Sequence, residues 1–169
     1  MTYAYADEVS ADVPALPEQV FDHLDDQARL GGHMEKPSMM MMGGRMTYEF
    51  DDAKGRAVGA VIRMGGSFMG LRSFVEEVVT VRDRPRLKIW ETRGAPRILI
   101  MGAYRMGFEI MPAGKGSRLR VFIDYDHPQS AVGRMLGSLF APMYARWCVQ
   151  RMAHDASRHF QERERKAPL

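Results

Sequence analysis

The chain is poor in the residues that would tie it together covalently or through a metal. There is a single cysteine, Cys148, in 169 residues. One thiol excludes an internal disulfide and a cysteine metal cluster, and it makes a cytoplasmic location the default expectation. Histidine is sparse too. His154 and His159 are five residues apart, which puts them on different faces of a helix, whereas a metalloprotease-type zinc pair needs one turn. His23, His33 and His127 have no cysteine partners, so neither a metal nor any other cofactor is expected. Long apolar runs are missing: the most apolar stretch, Val132 to Val149, contains Arg134, Pro142 and Arg146. A membrane-spanning helix needs about 20 apolar residues, so no integral membrane segment is expected. Asp7, Glu8 and Asp12 interrupt the N-terminal region, and no signal peptide is read there. The net charge of +3 is small, and its arginines are scattered rather than gathered into a stripe with interleaved aromatics. Nucleic acid is therefore not an expected partner. No internal repeat or low-complexity linker occurs.

Several local patterns of catalysis are also incomplete. Gly114-Lys115-Gly116-Ser117 lacks the earlier glycine of a phosphate loop and the Ser/Thr directly after the lysine; it reads as a hairpin turn. Gly65-Gly66-Ser67-Phe68-Met69-Gly70 fails the spacing of a hydrolase nucleophile elbow and reads as a flexible strand connection. Glu76 and Glu77 are adjacent in a strand pattern, so they point to opposite faces and cannot form one acid–base dyad. Asp25-Asp26 reads as a turn or cap at a helix end. Cys148, beside Trp147, reads as a small core residue, since a nucleophile needs a base and a lowered pKa.

Periodicity is what the chain does have. A chain of this length is one domain, 1–169 with a frayed tail over 164–169, and buries roughly 70% of its unfolded surface without staples. Tyr3 to Ser10 forms a first strand. Pro14 and Pro17 lead into a short helix ending near Leu24, with a second helical turn over Gln27 to Leu30. Met39 to Met42 is a core or pocket wall. From Arg45 the period becomes two. Met46, Tyr48 and Phe50 alternate, then Val58 to Met64 after a hairpin loop at Asp51–Gly55, then Met69 to Arg82 and Leu87 to Thr92. Tyr104, Met106, Phe108 and Ile110 alternate with Arg105, Gly107, Glu109 and Met111; Leu119 to Tyr125 follows after a turn. Hairpin-length loops make these strands antiparallel.

The last segment, Ala131 to about Arg163, is a long helix with two apolar stripes. Val132, Leu136, Leu139, Phe140 and Met143 form one; Ala145, Val149, Met152, Ala153, Ala156 and Phe160 form the other. Pro142 lies at the changeover, where a kink or break is expected. The whole is α+β: a curved antiparallel sheet of about seven strands around a long C-terminal helix, with one or two short helices after strand 1. Such an arrangement leaves a tapered space between sheet and helix.

Particular stretches carry a resemblance. Ala11-Asp12-Val13-Pro14-Ala15-Leu16-Pro17-Glu18-Gln19-Val20-Phe21-Asp22-His23-Leu24-Asp25-Asp26 is similar to the strand exit, short helix and closing aspartate of one superfamily. Phe74-Val75-Glu76-Glu77-Val78-Val79 with Arg84-Pro85-Arg86 is similar to its mid-sheet strand and turn, and Gly102-Ala103-Tyr104-Arg105, leading to Phe108 and Pro112, to its penultimate strand. The chain, from about Tyr3 to Phe160, resembles the START / polyketide cyclase-dehydratase / pollen-allergen-like (SRPBCC) superfamily of helix-grip proteins. The resemblance implies the helix-grip fold and an apolar cavity, in a superfamily that spans lipid carriers, aromatic cyclases and hormone receptors.

The expected function is binding or transport of a small hydrophobic ligand such as a lipid, a polyketide-like aromatic or an isoprenoid, without catalysis. Expected lining residues are His33, Met64, Trp90, Tyr104, Met106, Phe108, Tyr125, Phe140, Met143 and Trp147, with His33, Trp90, Tyr104 and Tyr125 as polar anchors. One alternative is a cyclase/dehydratase acting in the same cavity, with His33 or a buried tyrosine as base and Arg45 or Arg72 beside it. Another is a partner-binding domain or homodimer whose cavity has collapsed.

Overall fold

A computed structural model describes residues 2–26, 45–68 and 71–166. The elements are β1 (Tyr5–Val13), α1 (Pro17–Leu24), β2 (Arg45–Phe50), β3 (Val61–Phe68), β4 (Leu71–Asp83), β5 (Leu87–Thr92), β6 (Tyr104–Ala113), β7 (Gly116–Tyr125) and α2 (Ala131–Lys166). The strands form one antiparallel sheet in the order β1-β7-β6-β5-β4-β3-β2. Chain order is kept from β2 to β7, as hairpin connections require. β1 joins the far edge beside β7. This is the helix-grip fold expected of the sequence. His33, the Met39 to Met42 run and the second helical turn expected over Gln27 to Leu30 lie outside the described residues. No helix among the described residues is long and apolar enough to cross a membrane.

Alternation decides the two faces of the sheet. On β6, Tyr104, Met106, Phe108 and Ile110 point inward and are buried; on β7, Leu119, Val121, Ile123 and Tyr125 do the same. Their neighbours make cross-strand ion pairs on the outer face. Arg105 faces Asp124, Arg120 reaches Glu8 and Glu109, and Arg63 reaches Glu76. Such exposed pairs contribute about 0–1 kcal/mol each, so the arginines keep the outer face wet more than they stabilise the fold. β3 departs from expectation at both ends. It starts at Val61, because Gly59 turns the chain with φ 86°, and it runs on through Gly65 and Gly66, which pair with β2 and β4.

α1 starts with Pro17, whose missing N–H is no loss in the first turn, and Gln19 Oε1 accepts the Leu16 N–H at 3.1 Å. Its buried side, Val20, Phe21 and Leu24, meets the sheet, with the Phe21 ring edge-on to Phe108 at 5.5 Å. Asp25 caps the helix and does more than the turn role expected of it. Its carboxylate sits 2.8 Å from Lys88 Nζ on β5 and 2.8 Å from Arg82 on β4. Lys88 has no exposed surface. Burial works to raise the Asp25 pKa, but the hydrogen bonds from Arg82 and Lys88 outweigh it and hold the carboxyl below its usual range. The group pins the end of α1 to the middle of the sheet.

α2 packs along β1 and β7 and continues through Pro142 as far as Lys166. Its second stripe is buried as expected: Ala145, Val149, Met152, Ala153, Ala156 and Phe160. The first stripe is not. Val132, Leu139, Phe140 and Met143 are 40–66% exposed, and so is Met135; Leu136 alone of that stripe packs against the core. The buried side of this half consists instead of Gly133, Gly137 and Ala141. The reason is distance. A Cβ on Gly137 would lie 2.9 Å from the Ile100 carbonyl oxygen, and one on Gly133 would lie 2.6 Å from Pro128 Cβ. The backbone approaches the loops too closely for larger residues, so the large apolar side chains turn outward.

Candidate functional site

β4 separates its two adjacent glutamates as alternation requires. Glu76 points out, 2.9 Å from Arg63 Nε. Glu77 points in, between Val75 and Val79, and is 4% exposed. Burial raises its pKa to about 7, against the opposing pull of hydrogen bonds from Tyr104 and Trp90 and of the Lys88 charge. The Tyr104 O–H donates to Glu77 Oε1. The donor on Trp90 is its indole N–H, the only one that side chain has. Burial, together with the charge of Glu77, pushes the Tyr104 phenol well above its ordinary value.

α2 closes the group from the opposite side. Tyr144 hydrogen-bonds Cys148, and burial pushes Tyr144 up as well, with Glu77 and Tyr48 adding to the shift. Cys148 is pushed up to about 12 by burial, with the Tyr144 bond opposing. Five elements thus supply one polar cluster inside an apolar shell: Tyr48 from β2, Glu77 from β4, Trp90 from β5, Tyr104 from β6, and Tyr144 and Cys148 from α2. A carboxyl poised near neutrality can give or take a proton at physiological pH, and the phenols can donate to an oxygen or nitrogen beside it. Cys148 is a neutral thiol in this setting and no nucleophile.

The residues expected to line a cavity divide into groups. Met64, Trp90, Tyr104, Met106, Phe108 and Tyr125 all lie buried on the inner face. Trp147 packs half-buried against the core, its ring 5.9 Å from that of Tyr144. Phe140 and Met143 do not join them; they are 40% and 54% exposed on α2. Tyr125 is remote in character, stacked on Tyr5 at 5.5 Å. Arg72, a candidate partner for a base, is exposed, while His33 and the Arg45 side chain lie outside the described residues. The sequence reading missed Glu77, Tyr144 and Tyr48. For Glu77 the usable signal was its two-residue step from Val75 and Val79, hidden because Val78 and Phe74 make the other face look equally apolar.

Depressions lined by described residues include one of about 450 Å³ beside Val13, Lys115 and Gln161 and one of about 270 Å³ beside Gln19, His159 and Arg163. Neither touches the Glu77 cluster. Among the described residues no three His, Cys, Asp or Glu side chains gather as a metal would need.

Residues 8–158 match the model of a family described as polyketide cyclase / dehydrase and lipid transport. No curated protein matches the sequence. Among solved structures, the protein TTHA0849 from Thermus thermophilus is similar with a TM-score of 0.67 at 15% identity, covering 94% of this chain and 98% of that one. A point mutant of norcoclaurine synthase from Thalictrum flavum, in complex with a transition-state analogue, is similar with a TM-score of 0.64 at 15% identity, covering 95% and 96%. Ara h 8.0201 is similar with a TM-score of 0.59 at 13% identity, covering 90% and 97%. At such identities the likeness is one of fold.

Proposed function

The chain belongs to the polyketide cyclase / dehydrase and lipid transport family, in which binding of hydrophobic ligands is the common feature, and from that premise we propose that it holds one small hydrophobic molecule between the inner face of the sheet and α2, with the Glu77 cluster orienting the ligand's polar end. The ligand is of the size and character of a lipid, a polyketide-like aromatic or an isoprenoid. The observation that carries this reading is the Glu77 carboxyl itself. An ionisable group buried among Val75, Val79, Trp90 and Tyr104 costs free energy, and groups shifted in this way cluster at functional sites. A pocket that is apolar with a few convergent polar groups is what a small amphipathic ligand needs. Each ligand CH₂ taken from water contributes roughly 0.8 kcal/mol, and the cluster then selects the orientation. Native mass spectrometry after incubation with a lipid and aromatic library, and uptake of the neutral dye N-phenyl-1-naphthylamine, test this. A one-to-one complex and dye displacement are the expected results; no complex with any library member and no dye uptake sink it.

A second reading rests on the Glu77 pKa of about 7. An ionised Glu77 can remove a proton from a carbon next to a ligand carbonyl, and a phenol such as Tyr144 can donate to the enolate oxygen that forms. The proton then rests on Glu77 and returns to carbon or leaves with a hydroxyl, which is cyclase or dehydratase chemistry. Deuterium wash-in at the acidic carbon of a bound 1,3-diketone, lost in Glu77→Gln, is the expected signature; an exchange rate equal to buffer removes this reading and leaves the first.

A further inference from the structure

The charge around Glu77 narrows the class of ligand. Among the described residues, Lys88 is the cation whose charge acts on Glu77. Lys88 is held elsewhere, with Nζ 2.8 Å from Asp25 Oδ1 and 3.2 Å from the Asp25 carbonyl oxygen. The groups in contact with the Glu77 carboxyl are neutral donors, the Tyr104 phenol and the Trp90 indole. So, among the described residues, the carboxylate form of Glu77 has hydrogen bonds but no cation in contact with it. Beside the buried Val75 and Val79, rings gather round it: Trp90 and Tyr104 hydrogen-bond it, Tyr144 is electrostatically coupled to it, and Tyr48 is coupled to Tyr104 and Tyr144. Aromatic faces are negative and attract cations, indole most strongly.

Three kinds of ligand end meet this setting differently. An anion is repelled by the carboxylate. A neutral hydroxyl or carbonyl gains a hydrogen bond but leaves the negative charge unanswered. A protonated amine gains a charge-assisted hydrogen bond and ring contacts together. We propose that the ligand is a monocation, an apolar molecule bearing one primary or secondary ammonium that seats against Glu77 among the rings of Trp90, Tyr104 and Tyr144. This rests on the reading that a small hydrophobic molecule enters the space beside Glu77.

A pH signature follows. An ammonium favours the ionised carboxyl, so binding is coupled to loss of the Glu77 proton and strengthens as pH rises through neutrality. Among the described residues, the other titratable groups of the cluster are Tyr104 on β6 and Tyr144 on α2, coupled to Glu77 directly, Lys88 on β5, and Tyr48 on β2 and Cys148 on α2, coupled to those tyrosines. Tyr104 and Tyr144 are held well above 10 and Cys148 at about 12, so they stay protonated between pH 5.5 and 8. Lys88 is lowered by burial, which Asp25 opposes. A neutral ligand of the same shape separates the ligand's charge from any effect of pH on the fold.

The test uses the full chain and three probes of one shape: 3-phenylpropylamine, 3-phenylpropanol and 3-phenylpropionate, each displacing N-phenyl-1-naphthylamine at pH 5.5 and 8. At pH 8 the amine is expected to bind roughly tenfold or more tighter than the alcohol, the range of a charged hydrogen bond, with the carboxylate weakest. The advantage of the amine shrinks at pH 5.5, and Glu77→Gln brings amine and alcohol level. Alcohol or carboxylate binding as tightly as the amine at pH 8 overturns the inference, as does an unchanged ratio in Glu77→Gln. If that variant does not fold, the pH comparison on the unaltered chain decides. If the dye is not taken up and no probe binds, it is the hydrophobic-ligand reading that fails, and this inference falls with it; dye uptake without amine preference defeats the inference alone.

Discussion

The phenol of Tyr104 on β6 reaches across β5 to donate to the carboxyl of Glu77 on β4. The two strands do not pair with each other. Their side chains meet because both project from the inner face, with Trp90 of the strand between them joining the same carboxyl. A burial cost is thereby concentrated at Glu77, away from the Asp25–Lys88 pair, and it is measurable.

Glu77 titrates against stability. Its pKa rises from 4.5 to about 7 in the folded protein. Between those values the native chain holds a proton that the unfolded chain has released, so stability falls as pH rises and levels off above 7. By pH 8 the charged group costs roughly 3 kcal/mol. Glu77→Gln removes the titration. Urea denaturation is expected to show the parent and variant closest near pH 4.5, with the variant gaining relative stability of that order by pH 8. A difference that does not change with pH would falsify the burial of this carboxyl.

Lys88 and Asp25 titrate the other way. The Asp25 pKa is lowered from 3.8, so its contribution is present above that value and lost as pH falls through the lower native one. Lys88→Ala leaves the Asp25 carboxylate with Arg82 alone and empties a fully buried site, and is expected to cost about 2–5 kcal/mol at pH 7. Arg118→Ala breaks an exposed pair with Asp12, whose side chain is 78% exposed, and is expected to cost under about 1 kcal/mol. Chemical denaturation of both variants ranks them; equal effects mean that Lys88 is not buried against Asp25.

Gly137→Ala tests which side of α2 faces inward. On an exposed helix this change stabilises by up to about 1 kcal/mol. Here the new methyl meets the Ile100 carbonyl oxygen at 2.9 Å, and a loss of about 1–3 kcal/mol is expected. Leu139→Ala, at a residue 66% exposed, is expected to change stability by no more than about 0.5 kcal/mol. A gain for Gly137→Ala together with a loss of about 2 kcal/mol or more for Leu139→Ala in thermal unfolding would turn the helix around.

Cys148 should be silent to thiol reagents. Burial pushes it up to about 12, so the thiolate is scarce at pH 8 and the sulfur is out of reach. Iodoacetamide at pH 8 is expected to modify it in urea and not in the folded chain. Quick labelling of folded protein places the thiol at the surface.

The inner-face residues of β6 and β7 were legible because each strand keeps a strict two-residue alternation against arginines and acids. Tyr104, Met106, Phe108 and Tyr125 follow from that alone, and Met64 and Trp90 from the neighbouring strands. Glu77 was not, since β4 sets like residues side by side, Glu76 beside Glu77 and Val78 beside Val79, and its two-residue step from Val75 and Val79 is matched on the other face by Phe74, Glu76 and Val78. Phe140 and Met143 show the opposite failure. Their helical spacing is real, but it marks the outward side of α2, because Gly133 and Gly137 sit where the backbone meets the loops.

Order and type of element were determined by the sequence alone, because turn residues, prolines and hydrophobic period act over a few neighbouring residues. So were the antiparallel pairing, which short connections impose, and the second, buried stripe of the long helix. Tertiary structure alone decided which glutamate lost its water, which face of α2 is covered, and that Asp25 holds Lys88 across 63 positions of sequence. Those outcomes depend on what stands opposite each side chain in space, and desolvation and close approach have no local code in the chain.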